Sequence, residues 1–329
     1  MNGRRHLLLL AACLVVLTAC SASKDDRLNS AVDVLAIGTP APTSSKPSPS
    51  SPPCRLASLR PEGPLPSPSS IPSSSFMGII RNRGHLVVGV DQNTKLLGYY
   101  NPNTKQFEGF DIDIAKEVAH AIFGPDLTGR IYYRALLTEQ RFATVQAGGV
   151  DIVADAATIN CERMKNVYFS SVYYMAHQRI LVRDSSQART VGDLRGKKVC
   201  ATTGSTALKT KLPGVIPYPV SARTDCLVAL QQADVEAILT DDSILYGYLA
   251  QDPHTRLLDG NLTNEPYGLA IAKSHPEFVR FVNAVLEEMR GHAWPAIWQK
   301  WFGNIQVGGQ SVKKPVQPLP CYTDEKCGS

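Results

Sequence analysis

The sequence predicts an α/β fold with largely parallel sheets from about residue 78 onward. Short apolar or aromatic runs that are typical of strands alternate with helical stretches of about 10–15 residues. The alternation occurs in both halves of this region, and 329 residues suffice for two domains at a prior of about 150 residues each. We therefore expect two α/β units.

The predicted elements alternate regularly along the chain. The first half contains strands at 85–90, 130–134, 151–154 and 178–182, with helices at 111–122 and 138–147. The second half contains strands at 198–201, 235–239 and 269–272, with helices at 205–211, 222–232, 243–250 and 276–290. The strands are the short apolar runs, and the helices are the stretches whose apolar residues recur with helical spacing.

The N-terminus has the three parts of a bacterial export signal: Arg4 and Arg5, the apolar core 7–17, and small residues before a cleavage point. The run Leu17-Thr18-Ala19-Cys20 is similar to a lipobox. The apolar run is too short for a membrane-spanning helix, which needs about 20 residues. The pattern predicts removal of residues 1–19, acylation of Cys20 and a position outside the cytoplasm. A plain secretory signal is the alternative.

Residues 40–72 contain eleven of the 23 prolines, mixed with serine. A segment of this composition buries too little apolar surface to offset the entropy of ordering. We therefore predict a lipid anchor and disordered spacer at 20–75, followed by a folded domain at 76–304. Residues 305–329 are polar, with several Gly and Pro residues, and are predicted to form a loose tail.

Charge and hydropathy exclude several classes of protein. The net charge of +5 becomes 32 − 29 = +3 once residues 1–19, with two arginines and no acids, are removed. So mild a charge, without basic runs, argues against a nucleic-acid partner. After residue 20 the sequence contains no apolar stretch long enough to cross a membrane.

Six cysteines follow Cys20, and an even number in an exported chain indicates disulfides. Cys200 and Cys226 are the favoured pair, because they lie in a predicted strand and a predicted helix of one region. Cys321 with Cys327 would close a local loop, and Cys54 with Cys161 follows by elimination. The Cys and His spacings match no structural zinc motif, so no metal is expected.

Three polar loops follow predicted strands; they are 156–163, 202–206 and 240–242. In open α/β sheets, ligands bind beyond the carboxyl ends of strands, where helix N-termini expose N–H groups. The loops supply the guanidinium of Arg163, the hydroxyls of Ser205 and Thr206, and the carboxylate of Asp241. These groups complement a zwitterionic amino acid, since arginine binds a carboxylate and aspartate pairs with an ammonium.

Each of these residues also has an ordinary interpretation. Arg163 alone would be a surface cation, Ser205 or Thr206 a helix N-cap, and Asp242 a cap for the helix at 243–250. The sequence contains no nucleophile elbow, zinc-protease motif, phosphate-binding Gly-rich loop or dinucleotide fingerprint. We therefore expect a protein that is not an enzyme and needs no cofactor.

Four blocks resemble the polar amino-acid family of extracellular solute-binding proteins, which serve ATP-driven importers. They are GFDIDIAKEVA at 109–119, VDIV at 150–153 continuing through Thr158, Arg163 and YFS at 168–170, VGDLRGKKV at 191–199, and Trp298-x-x-Trp301-Phe302-Gly303. The resemblance covers about residues 79–303. It implies a type II clamp, in which two α/β lobes are joined by two crossing strands. Lobe one would be 79–173 plus 269–303, and lobe two 177–265.

The resemblance also implies roles for individual residues. Arg163 takes the position whose guanidinium holds the ligand α-carboxylate, helped by Thr158. Asp241 matches the acid that pairs with the α-ammonium. The rim of the second lobe would carry Thr202, Ser205 and Thr206.

The ligand side chain is expected to meet Arg141, which resembles an arginine that acidic-amino-acid binders use for a second carboxylate. A solvent-facing helix arginine is the alternative. Binders of basic amino acids would need extra acids near the first strand, where only Asp91 is present. The family's aromatic lid after this strand is missing, and Tyr99 or Tyr100 would replace it. Cys161 also departs from the family pattern, at a position where Pro is usual.

These observations predict a lipid-anchored, monomeric binding protein for glutamate or aspartate, with glutamine or asparagine next, that delivers its ligand to an ABC permease. One alternative is a sensor that signals to a membrane receptor or kinase pathway. Another is a dehydratase on the same fold, whose acid or base would have to come from Asp91, His177 or Glu265.

Overall fold

The computed structural model describes residues 54–325. Its strands are β1 (Leu86–Val90), β2 (Asn93–Thr94), β3 (Gly98–Asn101), β4 (Gln106–Glu108), β5 (Ile131–Ala135), β6 (Ile152–Val153), β7 (Val167–Phe169), β8 (Tyr174–Arg183), β9 (Lys198–Thr202), β10 (Ile216–Val220), β11 (Ala237–Asp241), β12 (Thr255–Leu257), β13 (Asn264–Tyr267), β14 (Ala270–Ala272), β15 (Gln306–Val307) and β16 (Gln310–Ser311). Its α-helices are α1 (Phe76–Arg83), α2 (Phe110–Phe123), α3 (Arg141–Gln146), α4 (Cys161–Met164), α5 (Arg223–Gln231), α6 (Asp242–Leu249), α7 (Pro276–Met289) and α8 (Ala293–Phe302). Short 3₁₀ turns occupy Pro68–Ser70, Val191–Leu194 and Ala207–Lys209.

Lobe one is built on a five-stranded sheet of order β5-β1-β6-β14-β7. β1 pairs in parallel with β5 and β6, whereas β14 pairs antiparallel with β6 and β7. Four of the five residues of β1 are buried, as expected for a central strand covered on both faces. Helix α2 begins after Gly109, whose φ is +140°. A Cβ at this position would lie 2.0 Å from the carbonyl oxygen of Leu97, so glycine is required there.

Lobe two is built on a sheet of order β10-β9-β11-β8-β12, with β13 paired to β8. The β10-β9-β11 part is parallel, and β8 runs antiparallel to β11 and β12. The α/β fold predicted from the alternation is confirmed, but the expectation of largely parallel sheets is wrong. Both sheets are mixed, because the strands that pass between the lobes return in the opposite direction.

Two neighbouring strands connect the lobes. The first part of β8 pairs antiparallel with β13, with Tyr174 opposite Tyr267 and His177 opposite Asn264. The rest of β8 enters the sheet of lobe two, and the chain after β13 enters the sheet of lobe one as β14. This is the pair of crossing strands expected of a two-lobed clamp. The prediction for 178–182 found only the part of β8 inside lobe two.

Two predicted helices are shorter in the structure. Helix α3 starts at Arg141 instead of residue 138, and the stretch 205–211 forms only a 3₁₀ turn, Ala207–Lys209. Ser205 and Thr206 make side-chain hydrogen bonds before this turn. Pro213 follows closely and disfavours helical geometry at the residue before it.

Residues 54–75 and 305–325, here called the terminal strap, pack on lobe one. The Ser58 hydroxyl donates to the carbonyl of Phe169, and the Ser58 amide donates to that of Cys321. Tyr322 is 1% exposed, and its hydroxyl donates to Glu287 of α7. The expectations of a disordered spacer up to 75 and a loose tail from 305 therefore do not describe these residues. Composition alone predicted disorder because these segments have too few apolar residues to form a core. They are ordered because lobe one provides hydrogen-bond and packing partners for them.

Two disulfides join the predicted pairs Cys200–Cys226 and Cys54–Cys161. Cys321 is also disulfide-bonded, and its expected partner, Cys327, lies outside the described residues. The predicted signal segment 1–19, the predicted acylation site Cys20 and the part of the predicted spacer up to residue 53 lie outside them too. Within residues 54–325, no helix combines the length and hydrophobicity that a membrane crossing needs.

Candidate functional site

A narrow cavity of about 10 Å³ lies between the two lobes. It is lined by Thr138, Arg141, Ala156, Thr158, Arg163, Thr202, Ser205, Thr206, Arg223, Thr240, Asp241 and Ile244. All three predicted loops contribute to this lining, because each follows a strand that ends at the cleft. Seven of the eight residues expected at the ligand site are among the lining residues. Asp91, the eighth, lies beside the cavity.

Arg163 belongs to the short helix α4, which Asn160 caps by accepting a hydrogen bond from the Arg163 amide at 2.9 Å. The guanidinium donates through Nη1 to the Thr158 carbonyl and through Nη2 to the Gly204 carbonyl. Burial lowers its pKa, and the Arg141 charge lowers it further. Since arginine keeps its proton at neutral pH, this desolvated cation favours an anionic partner.

Asp241 is the last residue of β11 and lies opposite Arg163, on lobe two. Its Oδ2 accepts a hydrogen bond from the Tyr267 hydroxyl at 2.6 Å. Desolvation raises the pKa of Asp241 to about 7, and the charge of Glu265 adds to this shift. A carboxylate held in this way gains from a nearby ammonium, which would compensate its buried charge.

The hydroxyl groups on the second lobe already have partners. The Ser205 hydroxyl donates to the Thr202 carbonyl and accepts from the amide of Leu208. The Thr206 hydroxyl donates to Glu265 at 2.8 Å. Ser205 therefore acts as the cap of the 3₁₀ turn, which was the ordinary interpretation, and it also lines the cavity.

Arg141 is 1% exposed, so its interpretation as a solvent-facing helix arginine is wrong. Nε donates to the Thr138 carbonyl, and Nη1 donates to the carbonyls of Asp155 and Ala156. These three hydrogen bonds use Nε and Nη1, and none of them uses Nη2. The Thr138 hydroxyl is buried without a hydrogen bond within residues 54–325. Both groups belong to residues that line the cavity, where a polar ligand side chain would satisfy them.

Arg223 and Asp155 were missed by the sequence analysis. Arg223 of lobe two donates through Nη1 to Oδ1 of Asp155 and lies 3.5 Å from Oδ2 of Asp91, both in lobe one. Asp91 also accepts hydrogen bonds from the amides of Asn93 and Thr94. Asp91 is therefore a turn cap and an ion-pair partner. The alternation pattern contained no signal for Arg223, which looked like an ordinary residue at a helix start.

The residues proposed as a lid or as catalytic groups have other contacts. The ring of Tyr100 packs edge-on against Phe107, and neither Tyr99 nor Tyr100 lines the cavity. Glu265 accepts hydrogen bonds from three side chains, and His177 lies 3.3 Å from Asp242.

The two lobes approach each other closely around the cavity. Gly204 has a φ of +79°, and a Cβ there would lie 2.6 Å from the Cα of Glu139 in lobe one. Lys209 of lobe two forms an ion pair with Glu162 of lobe one, with both side chains exposed. The described conformation is therefore the closed one.

Comparison with known proteins places this site in a family. The model for bacterial extracellular solute-binding proteins, family 3, matches residues 86–304. The chain belongs to this family. This membership confirms the resemblance found in the sequence, and it places the family 3 protein outside the cytoplasm.

Several proteins whose names state a ligand are similar to this family 3 protein. It is 33% identical over 230 residues to the ABC transporter glutamine-binding protein GlnH of Bacillus subtilis, covering 68% of this chain and 84% of that protein. It is 34% identical over 229 residues to the glutamate-binding protein GluB of Corynebacterium glutamicum, covering 65% and 76%. A solved structure of the arginine-binding protein of Thermotoga maritima aligns with a TM-score of 0.64 at 28% identity, covering 69% and 99%. These relatives are binding proteins, not enzymes.

Proposed function

We propose that the protein is a lipid-anchored extracellular receptor that binds a polar amino acid and delivers it to an ABC importer. The observation that carries the proposal is the placement of Arg163 and Asp241 on opposite lobes of one cavity. A guanidinium and a carboxylate in this arrangement complement the α-carboxylate and α-ammonium of an amino acid. A ligand bound to both residues links the lobes and stabilises the closed conformation.

The donors that line the cavity favour a ligand side chain that ends in an oxygen. Arg141, Arg163 and Arg223 line the cavity with Asp241, and Arg223 is already paired with Asp155 and Asp91. Arg163 and Asp241 balance the backbone charges of any amino acid, and Nη2 of Arg141 remains to donate to an oxygen of the side chain. We therefore place glutamate or aspartate first. Glutamine or asparagine come second, since an amide carbonyl accepts the same hydrogen bond.

The names of the relatives agree with this choice, because GlnH is a glutamine-binding protein and GluB a glutamate-binding protein. The side chains of glutamate and glutamine both end in an oxygen atom that Arg141 is able to bind. The lipid anchor rests on the lipobox-like run that ends at Cys20. Residues 20–53 would act as the tether, shorter than the spacer predicted from composition.

Isothermal titration calorimetry tests the proposal directly. The soluble protein starting at residue 54, purified free of ligand, is titrated with each of the twenty amino acids. We expect micromolar or tighter binding of one acidic or amide amino acid. No heat with any amino acid would reject the proposed ligand class, and tightest binding of arginine or lysine would reject the role given to Arg141.

Arg141→Ala is expected to weaken glutamate binding at least about tenfold more than glutamine binding, because charge-assisted hydrogen bonds are roughly twice as strong as neutral ones. The measurement is the ratio of the two Kd values in wild type and variant. Arg134→Ala is a suitable control, since Arg134 is an exposed arginine of the same lobe. Equal losses for both ligands would remove Arg141 from side-chain recognition.

Binding is expected to weaken as the pH falls below about 7, because Asp241 must be ionised to pair with the ligand ammonium and its pKa is raised to about 7. The limiting slope is about tenfold in Kd per pH unit below the pKa. Titrations at pH 8, 7 and 6 measure it, with Asp241→Asn as the variant that should bind weakly at every pH. The same pH dependence in Asp241→Asn would assign the effect to another group.

A further inference from the structure

Two buried ion pairs cross from one lobe to the other. Arg223, on α5 of lobe two, is 5% exposed, and the Asp155 side chain that it contacts is 1% exposed. Nη1 of Arg223 also lies 3.3 Å from the hydroxyl of Thr94 and 3.5 Å from Oδ2 of Asp91. We call Arg223 with Asp155 and Asp91 the closing ion pairs.

We propose that Arg223 is a positioning residue that holds the lobes closed through these ion pairs and so sets how long any bound ligand remains. The inference rests on the proposed function and adds to it a residue that controls release. Nη1 donates to Thr94 and Asp155, and Nη2 donates to the Asp155 carbonyl, so the guanidinium ends are directed to lobe one. Arg223 is therefore expected to act on closure and to leave the choice of ligand to Arg141.

Burial distinguishes the closing ion pairs from the ion pair of Lys209 and Glu162, which also joins the two lobes. The Lys209–Glu162 pair has side chains that are 64% and 68% exposed, and exposed pairs contribute little, about 0–1 kcal/mol. Removing one partner of a buried pair is much more damaging, since the other charge stays desolvated. The loss of Arg223 would leave Asp155 with Arg141, 3.6 Å away, as its remaining ionic partner in the described chain.

The surroundings of Arg223 hold it in place. It is the first residue of α5, and its carbonyl accepts a hydrogen bond from the Tyr248 hydroxyl at 2.6 Å. Cys226, three residues further along the helix, is disulfide-bonded to Cys200 of β9. This anchorage ties Arg223 to the sheet of lobe two, so separation of the lobes must break the closing ion pairs.

Stopped-flow measurement of ligand dissociation tests the proposal on the protein starting at residue 54. Arg223→Met keeps the length of the side chain and removes its charge. We expect it to raise the dissociation rates of glutamate and glutamine by at least about tenfold each, with their ratio changed less than about threefold, as expected for truncation of a buried charge pair. Arg195→Met changes an exposed arginine of the same lobe and should leave both rates unchanged.

Asp91→Asn provides a second, milder variant, because asparagine retains the oxygen that caps the amides of Asn93 and Thr94. It should also raise both rates, and combining it with Arg223→Met should add little, since each change removes the same ion pair. A rate increase confined to one ligand would overturn the proposal and assign Arg223 to side-chain recognition. Unchanged rates in folded Arg223→Met would also overturn it.

Small-angle X-ray scattering separates this proposal from the proposed function. Without added amino acid, Arg223→Met should have a larger radius of gyration than wild type, because the closing ion pairs do not involve the ligand. An equal radius of gyration would overturn the inference whatever the protein binds. A wild type that binds no amino acid, together with a larger radius in Arg223→Met, would reject the proposed ligand and retain the role of Arg223.

Discussion

Arg163→Ala is expected to weaken amino-acid binding by about 3–5 kcal/mol, the usual cost of removing one partner of a buried charge pair. The ligand α-carboxylate would lose its cation while remaining desolvated between the lobes. The variant also loses the hydrogen bond from Nη2 to the Gly204 carbonyl, which crosses the cleft. Calorimetric titration against the preferred ligand measures the loss.

Two variants control this experiment. Arg163→Lys keeps the charge without the planar pair of donors and should recover part of the affinity. Lys165→Ala changes an exposed cation two residues away and should bind like wild type. Binding by Arg163→Ala within about threefold of wild type would end the assignment of Arg163 to the carboxylate.

Replacement of both Cys54 and Cys161 by serine is expected to lower the free energy of unfolding by about 4.8 kcal/mol. The chain-entropy model gives this value for a crosslink between residues 107 positions apart. The corresponding serine pair at Cys200 and Cys226, with a separation of 26, should cost about 3.5 kcal/mol. Urea denaturation of both variants measures the difference.

The informative result is which of the two variants loses more free energy of unfolding. A Cys54/Cys161 variant that is as stable as wild type would mean that the terminal strap constrains the unfolded chain very little. A larger loss for the shorter crosslink would show that native contacts, instead of chain entropy, decide the effect.

Local pattern predicted β1, β5, β6 and β14 of lobe one, β9, β11 and part of β8 of lobe two, and the three loops that meet at the cavity. It did not predict β7, β10, β12 or β13. The positions of Arg163 and Asp241 at the cavity were predictable, because ligands of α/β sheets bind beyond the carboxyl ends of strands. Arg163 follows β6 of lobe one, and Asp241 ends β11 of lobe two. The burial of Arg141 was not predictable, because the carbonyl groups that it contacts are 14 and 15 residues away in another loop. Helical periodicity reports on the face of a helix and carries no information on such contacts.

The contact of Arg223 with lobe one was even less predictable from the sequence. Asp155 is 68 residues away and belongs to the other lobe, so only the closed arrangement brings the two side chains together. The packing of the terminal strap on lobe one was not predicted for a different reason. Its composition describes a segment that does not fold alone, whereas its order comes from Cys54–Cys161 and from hydrogen bonds such as Asn283 to Ser58.

The terminal strap also has a consequence for the design of fluorescent biosensors. Residues 54 and 325 both belong to the strap on lobe one, so opening of the cleft leaves the distance between them unchanged. A donor and an acceptor fluorophore attached at these two residues would give no signal on ligand binding. One of the two must be moved to lobe two, for which the exposed turn at Pro253 and His254, before β12, offers a position away from the cavity.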